Sequence, residues 1–459
     1  MKNSLQALRR SLPAAIAALL TAACGPALAK VEGITGPTFN LVAREAYLIT
    51  GDGNTVYGWG YGNGAGPMQY PGPTLIVNQG DTVTVNLTNT LPTGVSMIFP
   101  GQQGVVAAGG TAGLLTNEVG VAGCTTAPAC GQVSYTFTAT QPGTYMYHSG
   151  TNPSLQVDMG LVGTIIIRPN VADPAHQAYS QPNTGFDREF LFLLSDMDAA
   201  MHDRMSYLVQ TQRQLGLLPP YDFSSIDTSA FYATLWFING RNSPDTLIDA
   251  NVRWLPNQPY NAAPKMHPGE KVLMRMVAAG RDLHPFHHHG AHALPIARDG
   301  RVLESAPGAG PDLSSPDFTV RSIPGQTLDL IFEWTGQNIG WDVYGPTAHT
   351  CNGIAVNAAN PQSPGFDPAT HEYCPDHGKA FPVILPNQQD VQFGEYYSGS
   401  PYLGKFGILP QGHPGLNVNG GYYHIWHSHN EKEITTNNVF PGGMKTFLII
   451  EAPSVVITE

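Results

Sequence analysis

The hydrophobic pattern along this chain is that of strands. Across residues 81–88, Val83, Val85 and Leu87 alternate with Thr82, Thr84, Asn86 and Thr88, a period of two that turns one strand face to a core and the other to a polar surface. Across 327–334, Leu328, Leu330, Phe332 and Trp334 alternate in the same way behind the turn Pro324-Gly325. No long segment carries a convincing helical period. A Pro-Gly or Gly-Asp turn, an alternating strand, a histidine-bearing or equivalent segment and a closing aliphatic strand run in that order through residues 71–168 and again through 264–451. The repeat predicts an all-β chain of two β-sandwich units. We expect them at residues 37–168 and 188–459, with 169–187, rich in Pro and Asn, as the linker. Residues of about 346–421 lack clean alternation and read as a long loop insertion in the second unit, with a functional or a stabilising role.

Composition agrees: 51 Gly and 39 Pro among 459 residues, with only 12% charged, describe a loop-rich chain large enough to bury substantial cores. The N-terminus changes the picture of where it works. Lys2, Arg9 and Arg10 precede an apolar run over 14–23 and the small-residue stretch Ala27-Leu28-Ala29, the pattern of a secretory leader spanning residues 1–29. The apolar run is too short to cross a bilayer, so the mature chain is expected to have no membrane insertion. Arg9-Arg10 leaves a twin-arginine export route open beside the general one, and Cys24 leaves a lipid anchor open beside simple cleavage. Losing the leader's three cationic residues takes the formal charge from −12 to −15, which argues against nucleic acid or an anionic membrane surface as partner. A periplasmic or secreted protein is expected. Setting Cys24 aside leaves four cysteines, for which the pairs Cys124 with Cys130 and Cys351 with Cys374 each close a local loop. Cysteine as a metal ligand is the alternative.

The candidate chemistry lies in histidine. His284, His287, His288, His289 and His292 fall within LHPFHHHGAH, and His427 and His429 within HIWHSH. On a strand, residues i and i+2 share a face, so each H-x-H pair presents two imidazoles side by side while the middle residue points away. Imidazole suits copper, and Cu(II) tops the divalent affinity series. The other reading is a set of histidines that only hydrogen-bond one another. His176, His202, His267, His371, His377 and His413 lack such company and read as surface or loop residues. Met197, Met201 and Met205, beside His202, offer either a soft Cu(I) surface site or filling for a core gap.

Several segments together resemble the multicopper oxidase family, built from cupredoxin-like Greek-key β-sandwiches. They are Tyr70-Pro-Gly-Pro-Thr-Leu-Ile-Val77, Gln79-Gly-Asp-Thr-Val83, Gly143-Thr-Tyr-Met-Tyr-His-Ser149, Ile238-Asn-Gly-Arg241, the 280–290 segment and His427-Ser-His429. The resemblance implies a type 1 copper, held by a cysteine and two histidines, that feeds electrons to a trinuclear cluster of four H-x-H pairs. Here Ser428 stands where the resemblance places the type 1 cysteine, and Glu433 where it places the second type 1 histidine. His284 matches the first, and Met444 is a candidate axial residue. Of the trinuclear ligands, Ile98, Pro100 and Gly150 replace three, leaving His148, His287, His289, His427 and His429. The resemblance thus implies one or two copper ions bound by a residual histidine cluster rather than four. It leaves open an oxidoreductase lacking the type 1 relay, with oxygen as acceptor, or a non-catalytic copper sequestration or assembly protein. Glu433, Glu431 and Asp282 are candidate carboxylates for orienting a histidine or moving a proton, or else a solvated acidic loop. In two-domain members the cluster forms between subunits, so a homotrimer is expected.

Overall fold

The computed structural model describes residues 31–125, 130–337, 339–345, 348–353, 365–380, 399 and 421–457. The leader read at 1–29 and His413 lie outside them, as does most of the 346–421 stretch. The protein is all-β, with cupredoxin-like sheets packed in pairs. In the first pair, a four-stranded sheet in the order Ile34–Thr35, Gly72–Asn78, Val162–Arg168, Gly143–His148 faces a five-stranded one centred on Thr38–Ile49, Thr82–Asn89 and Val133–Thr138. The alternation read at 81–88 forms the strand Thr82–Asn89, with Val83, Val85 and Leu87 buried. Their core holds Trp59, Tyr61, Tyr135 and Tyr147.

In the second pair, a six-stranded sheet contains Leu235–Ile238, Arg188–Met197, Lys271–Ala278 and Thr327–Glu333. A five-stranded sheet runs Lys265–Met266, Lys445–Ile450, Tyr422–Ser428, His284–His288, Thr319–Ser322. Leu328, Leu330 and Phe332 enter the core as their alternation predicts, but the polar face of that strand is covered too, and Asp329 is buried. The reason is a second layer of contact. Leu48, Val162 and Ile166 of the first pair of sheets pack with Leu193, Phe237 and Val277 of the second in one apolar cluster. Beside it Glu189 accepts from Arg168 Nη1 at 2.7 Å and Arg275 Nε at 2.8 Å, and Thr144 donates to Asp329 at 2.6 Å. Burial alone would raise the Glu189 carboxyl, but Arg275 and then Arg168 hold it down at about 2.

The methionine segment forms a helix, Ala199–Gln214, capped by Asp198, whose side chain accepts from the amides of Ala200 and Met201. Its buried residues Met201, Met205 and Val209 recur every fourth position and fill the first core, so these methionines pack rather than face solvent. Both cysteine pairs form disulfides, with Cα atoms 5.3 Å apart for Cys124–Cys130 and 5.7 Å for Cys351–Cys374. Among the described residues no helix is long and apolar enough to cross a membrane.

Candidate metal centre

Two neighbouring antiparallel strands build the site. His284–His288 pairs with Tyr422–Ser428 in a register that sets His287 directly opposite His427, His288 opposite Trp426 and Phe286 opposite Ser428. Because faces alternate, His287 and His427 project to one side and their neighbours to the other. The ladder continues one step beyond each strand: the His289 amide donates to Ile425 O and the His429 amide to Pro285 O. His289 and His429 therefore join the same face. Ring centroids lie 4.6 Å apart for His287–His289, 5.1 Å for His287–His429, 5.4 Å for His289–His427 and 5.6 Å for His427–His429.

Within this group, ligand atoms of His287, His289 and His427 all lie within 4.8 Å of one another. Nε2 of His427 and Nε2 of His289 approach to 3.3 Å, a span compatible with two bonds of about 2.0–2.1 Å to one cation. Hydrogen bonds on the far ring nitrogens hold the imidazoles in place. His427 Nδ1 donates to Ser428 O at 2.7 Å, and His287 Nδ1 lies 2.8 Å from Thr319 Oγ1, leaving Nε2 of each for the shared face. Burial, then the neighbouring His427 and His429, pushes His287 down to about 4; burial, with His429 beside it, also lowers His427. Both shifts favour the uncharged ring, the state a metal requires. His429 is the open edge, with its side chain 54% exposed and Nδ1 3.8 Å from Glu431.

The middle residues serve the core. His288 donates from Nδ1 to Phe318 O at 2.8 Å and accepts at Nε2 from the Ala293 amide at 3.2 Å, so both nitrogens are engaged away from the cluster. Trp426 packs against Phe332 at 4.9 Å and donates Nε1 to His289 O at 3.0 Å. His424, an extra imidazole close to the cluster in sequence, is fully buried against Trp334 and Tyr422, with no hydrogen-bond partner for either ring nitrogen among the described residues.

The structure places His284 apart from this group. Its Nδ1 donates to Glu433 Oε2 at 2.9 Å and its Nε2 lies 3.6 Å from Asp196, all three side chains being fully buried. Burial by itself would lower this imidazole, but the Glu433 hydrogen bond and charge, then Asp196, raise it. Ser428 donates to the same Glu433 oxygen at 2.6 Å, and Asn430 Nδ2 to the other at 3.0 Å. Glu433 is thus a buried hub rather than part of a solvated acidic loop, whereas Glu431 is exposed. Gly443 shapes this hub: at φ 58° it brings the loop against the carbonyl of Glu433 where any Cβ would collide. Met444 is buried, its carbonyl accepting from the Ser428 amide at 3.0 Å and its amide donating to Glu433 O at 2.7 Å.

His148 also stands apart. It ends the Gly143–His148 strand, bridged to Ile98, and its Nδ1 donates to Ser149 O at 2.9 Å. A Cβ at Gly150 would lie 2.8 Å from Ile98 Cγ2. Positions 98, 148 and 150 are therefore neighbours, with apolar bulk and bare backbone on either side of the single imidazole.

Residues 63–172 match a family model described as multicopper oxidase. An L-ascorbate oxidase of Cucurbita pepo var. melopepo is 36% identical over 133 residues, 28% of this chain and 21% of that one. Laccase-25 of Oryza sativa subsp. japonica is 27% identical over 272 residues, 57% of this chain and 38% of the relative. The solved multicopper oxidase mgLAC superposes with a TM-score of 0.53 at 17% identity, over 92% of this chain and 88% of that one. Residues 63–172 are thus similar to a multicopper oxidase domain, and the fold of the chain to that of solved multicopper oxidases. The chain spans about a fifth of the length of the ascorbate oxidases it matches. The blue copper oxidase of Nitrosomonas europaea gives a TM-score of 0.50 at 16% identity over 90% of this chain and 85% of that chain, a likeness of fold. The family-model match covers His148 but ends before the paired strands, so the imidazole cluster stands on its own geometry.

Proposed function

We propose that this protein binds copper at His287, His289 and His427, with His429 as a fourth imidazole at the open edge, and that it lacks the type 1 relay of its relatives. The observation that carries the reading is the convergence of three ligand atoms within 4.8 Å on two strands in direct register. The donor set fits: imidazoles, with His287 and His427 oriented from behind, suit copper better than they suit oxygen-seeking cations. Bound copper would supply one-electron redox chemistry at this face. Thr319 and the Ser428 carbonyl fix which ring nitrogen is presented, and Glu431, beside His429, is placed to take or return a proton at the exposed edge.

Loss of the relay is supported by Ser428, Glu433 and His284 satisfying one another. A hydroxyl is no thiolate, and both ring nitrogens of His284 meet carboxylates. This arrangement favours one or two copper ions over four, and equally a binding or sequestration role without turnover. The homotrimer implied by family resemblance would set His148 of one subunit against the imidazole face of the next. Phe318, 46% exposed and 5.3 Å from His287, is an apolar contact such packing would cover. The two disulfides support an exported protein.

Copper analysis with electron paramagnetic resonance on the reconstituted chain tests the site. One or two equivalents of copper without a type 1 signal are expected, lost in His287→Ala/His289→Ala; a chain that takes up no copper sinks the reading. Oxygen consumption by the loaded protein with phenolic, cuprous or manganous substrates separates an oxidase from a binding protein, and light scattering tests the trimer.

A further inference from the structure

We propose that Asp342, His349, Glu372 and His377 form a second metal site, separate from the imidazole cluster, that takes a zinc-type divalent cation and clips the loop beyond the Thr327–Glu333 strand to itself. One ligand atom from each of the four lies within 4.8 Å of every other. His349 Nε2 is 3.1 Å from Glu372 Oε2 and 3.7 Å from Asp342 Oδ2; His377 Nδ1 is 2.7 Å from Glu372 Oε1 and 3.7 Å from the same Asp342 oxygen. The two rings meet edge to face with centroids 4.6 Å apart.

The charges ask for a cation. Each carboxylate side chain is only 3% exposed, so both lie in a space sheltered from water, where a doubly charged ion held between them would balance them. Part of the cage is already fixed by backbone: Asp342 Oδ1 accepts from the Tyr344 amide at 2.9 Å, and Oδ2 from the Gly378 amide at 2.8 Å. The imidazoles, 27% and 33% exposed, leave a way in.

Donor chemistry narrows the ion. Two nitrogens and two carboxylate oxygens without a thiolate match tetrahedral zinc, with bonds of about 2.0–2.2 Å. Calcium and magnesium demand oxygen shells that two imidazoles do not offer. The setting is structural. Glu372 and His377 flank Cys374, and His349 precedes Cys351, so the Cys351–Cys374 disulfide and the four ligands close the same loop.

The test uses zinc alone, titrated into the full chain carrying His287→Ala/His289→Ala/His427→Ala to silence the imidazole cluster. One equivalent should bind and raise Tm. Adding His349→Gln/His377→Gln should weaken binding by more than about a hundredfold, beyond the usual cost of losing an outer-shell partner, with the disulfides and near-ultraviolet circular dichroism unchanged. A folded, silenced chain that binds no zinc overturns the proposal, as does an equivalent that survives His349→Gln/His377→Gln. X-ray absorption at the zinc edge of the silenced chain gives an independent reading. A shell of nitrogen and oxygen in equal parts supports the site, and an all-imidazole shell overturns it.

Discussion

Ser428 donates its hydroxyl hydrogen to the Glu433 carboxylate at 2.6 Å, and the oxygen that receives it also accepts from His284 at 2.9 Å. Three positions that family resemblance assigns to electron entry thus form one closed hydrogen-bonded unit. Restoring cysteine alone does not reopen it, because Glu433 rather than a second imidazole meets position 428. Ser428→Cys, loaded with copper, is expected to show no intense visible band of thiolate-bound copper. Absorption spectroscopy checks this, and the appearance of such a band overturns our reading of Glu433.

The same hub has a cost of removal. Glu433→Ala strips partners from Ser428, Asn430 and a buried imidazole, which predicts a loss of about 3–5 kcal/mol. Glu433→Gln, which keeps the shape and some of the hydrogen bonds, should lose clearly less. Urea denaturation of both variants measures the difference.

Trp426 links the apolar core to the imidazole face through its hydrogen bond to His289 O at 3.0 Å. Trp426→Phe keeps a ring against Phe332 but deletes that bond. We expect a stability loss that includes about 1 kcal/mol for the bond, together with weaker copper binding. Calorimetric titration reads the second effect, and unchanged copper affinity would mean that His289 is positioned without Trp426.

Glu189 predicts an acid limit. Its carboxyl is held down at about 2 in the fold, against about 4.3 in an unfolded chain. A lowered carboxyl stabilises the fold above its unfolded value and loses that contribution as the pH falls toward the folded one. Stability should therefore drop between pH 4.3 and about 2, by on the order of 3 kcal/mol from this group. Glu189→Gln should flatten that part of the profile, as followed by thermal melts across pH.

The imidazole face was legible because strands have a period of two: His287 with His289 and His427 with His429 announce a shared side before any coordinates exist. Their register, which puts His287 opposite His427, was not, since pairing between strands more than a hundred residues apart leaves no mark in either. The local cysteine pairs were readable from spacing. His349 and His377 were not, because a loop has no period and the turn that unites them is set by Cys351–Cys374 and Asp342. His377 reads in isolation as a surface residue. Asp329 and Glu189 were likewise hidden, as their burial depends on one pair of sheets covering the other.

That covering has a directional consequence. Arg168 closes a strand of the first pair of sheets, Arg275 lies within a strand of the second, and both grip Glu189 from fixed angles. An apolar seam alone tolerates sliding, whereas the Arg168 fork on a carboxylate that Arg275 also holds favours a single alignment. The bearing of the His148 strand toward the imidazole strands is in this way keyed by charge, like a toothed joint, and a mutation at Glu189 would be felt as lost alignment before it is felt as lost fold.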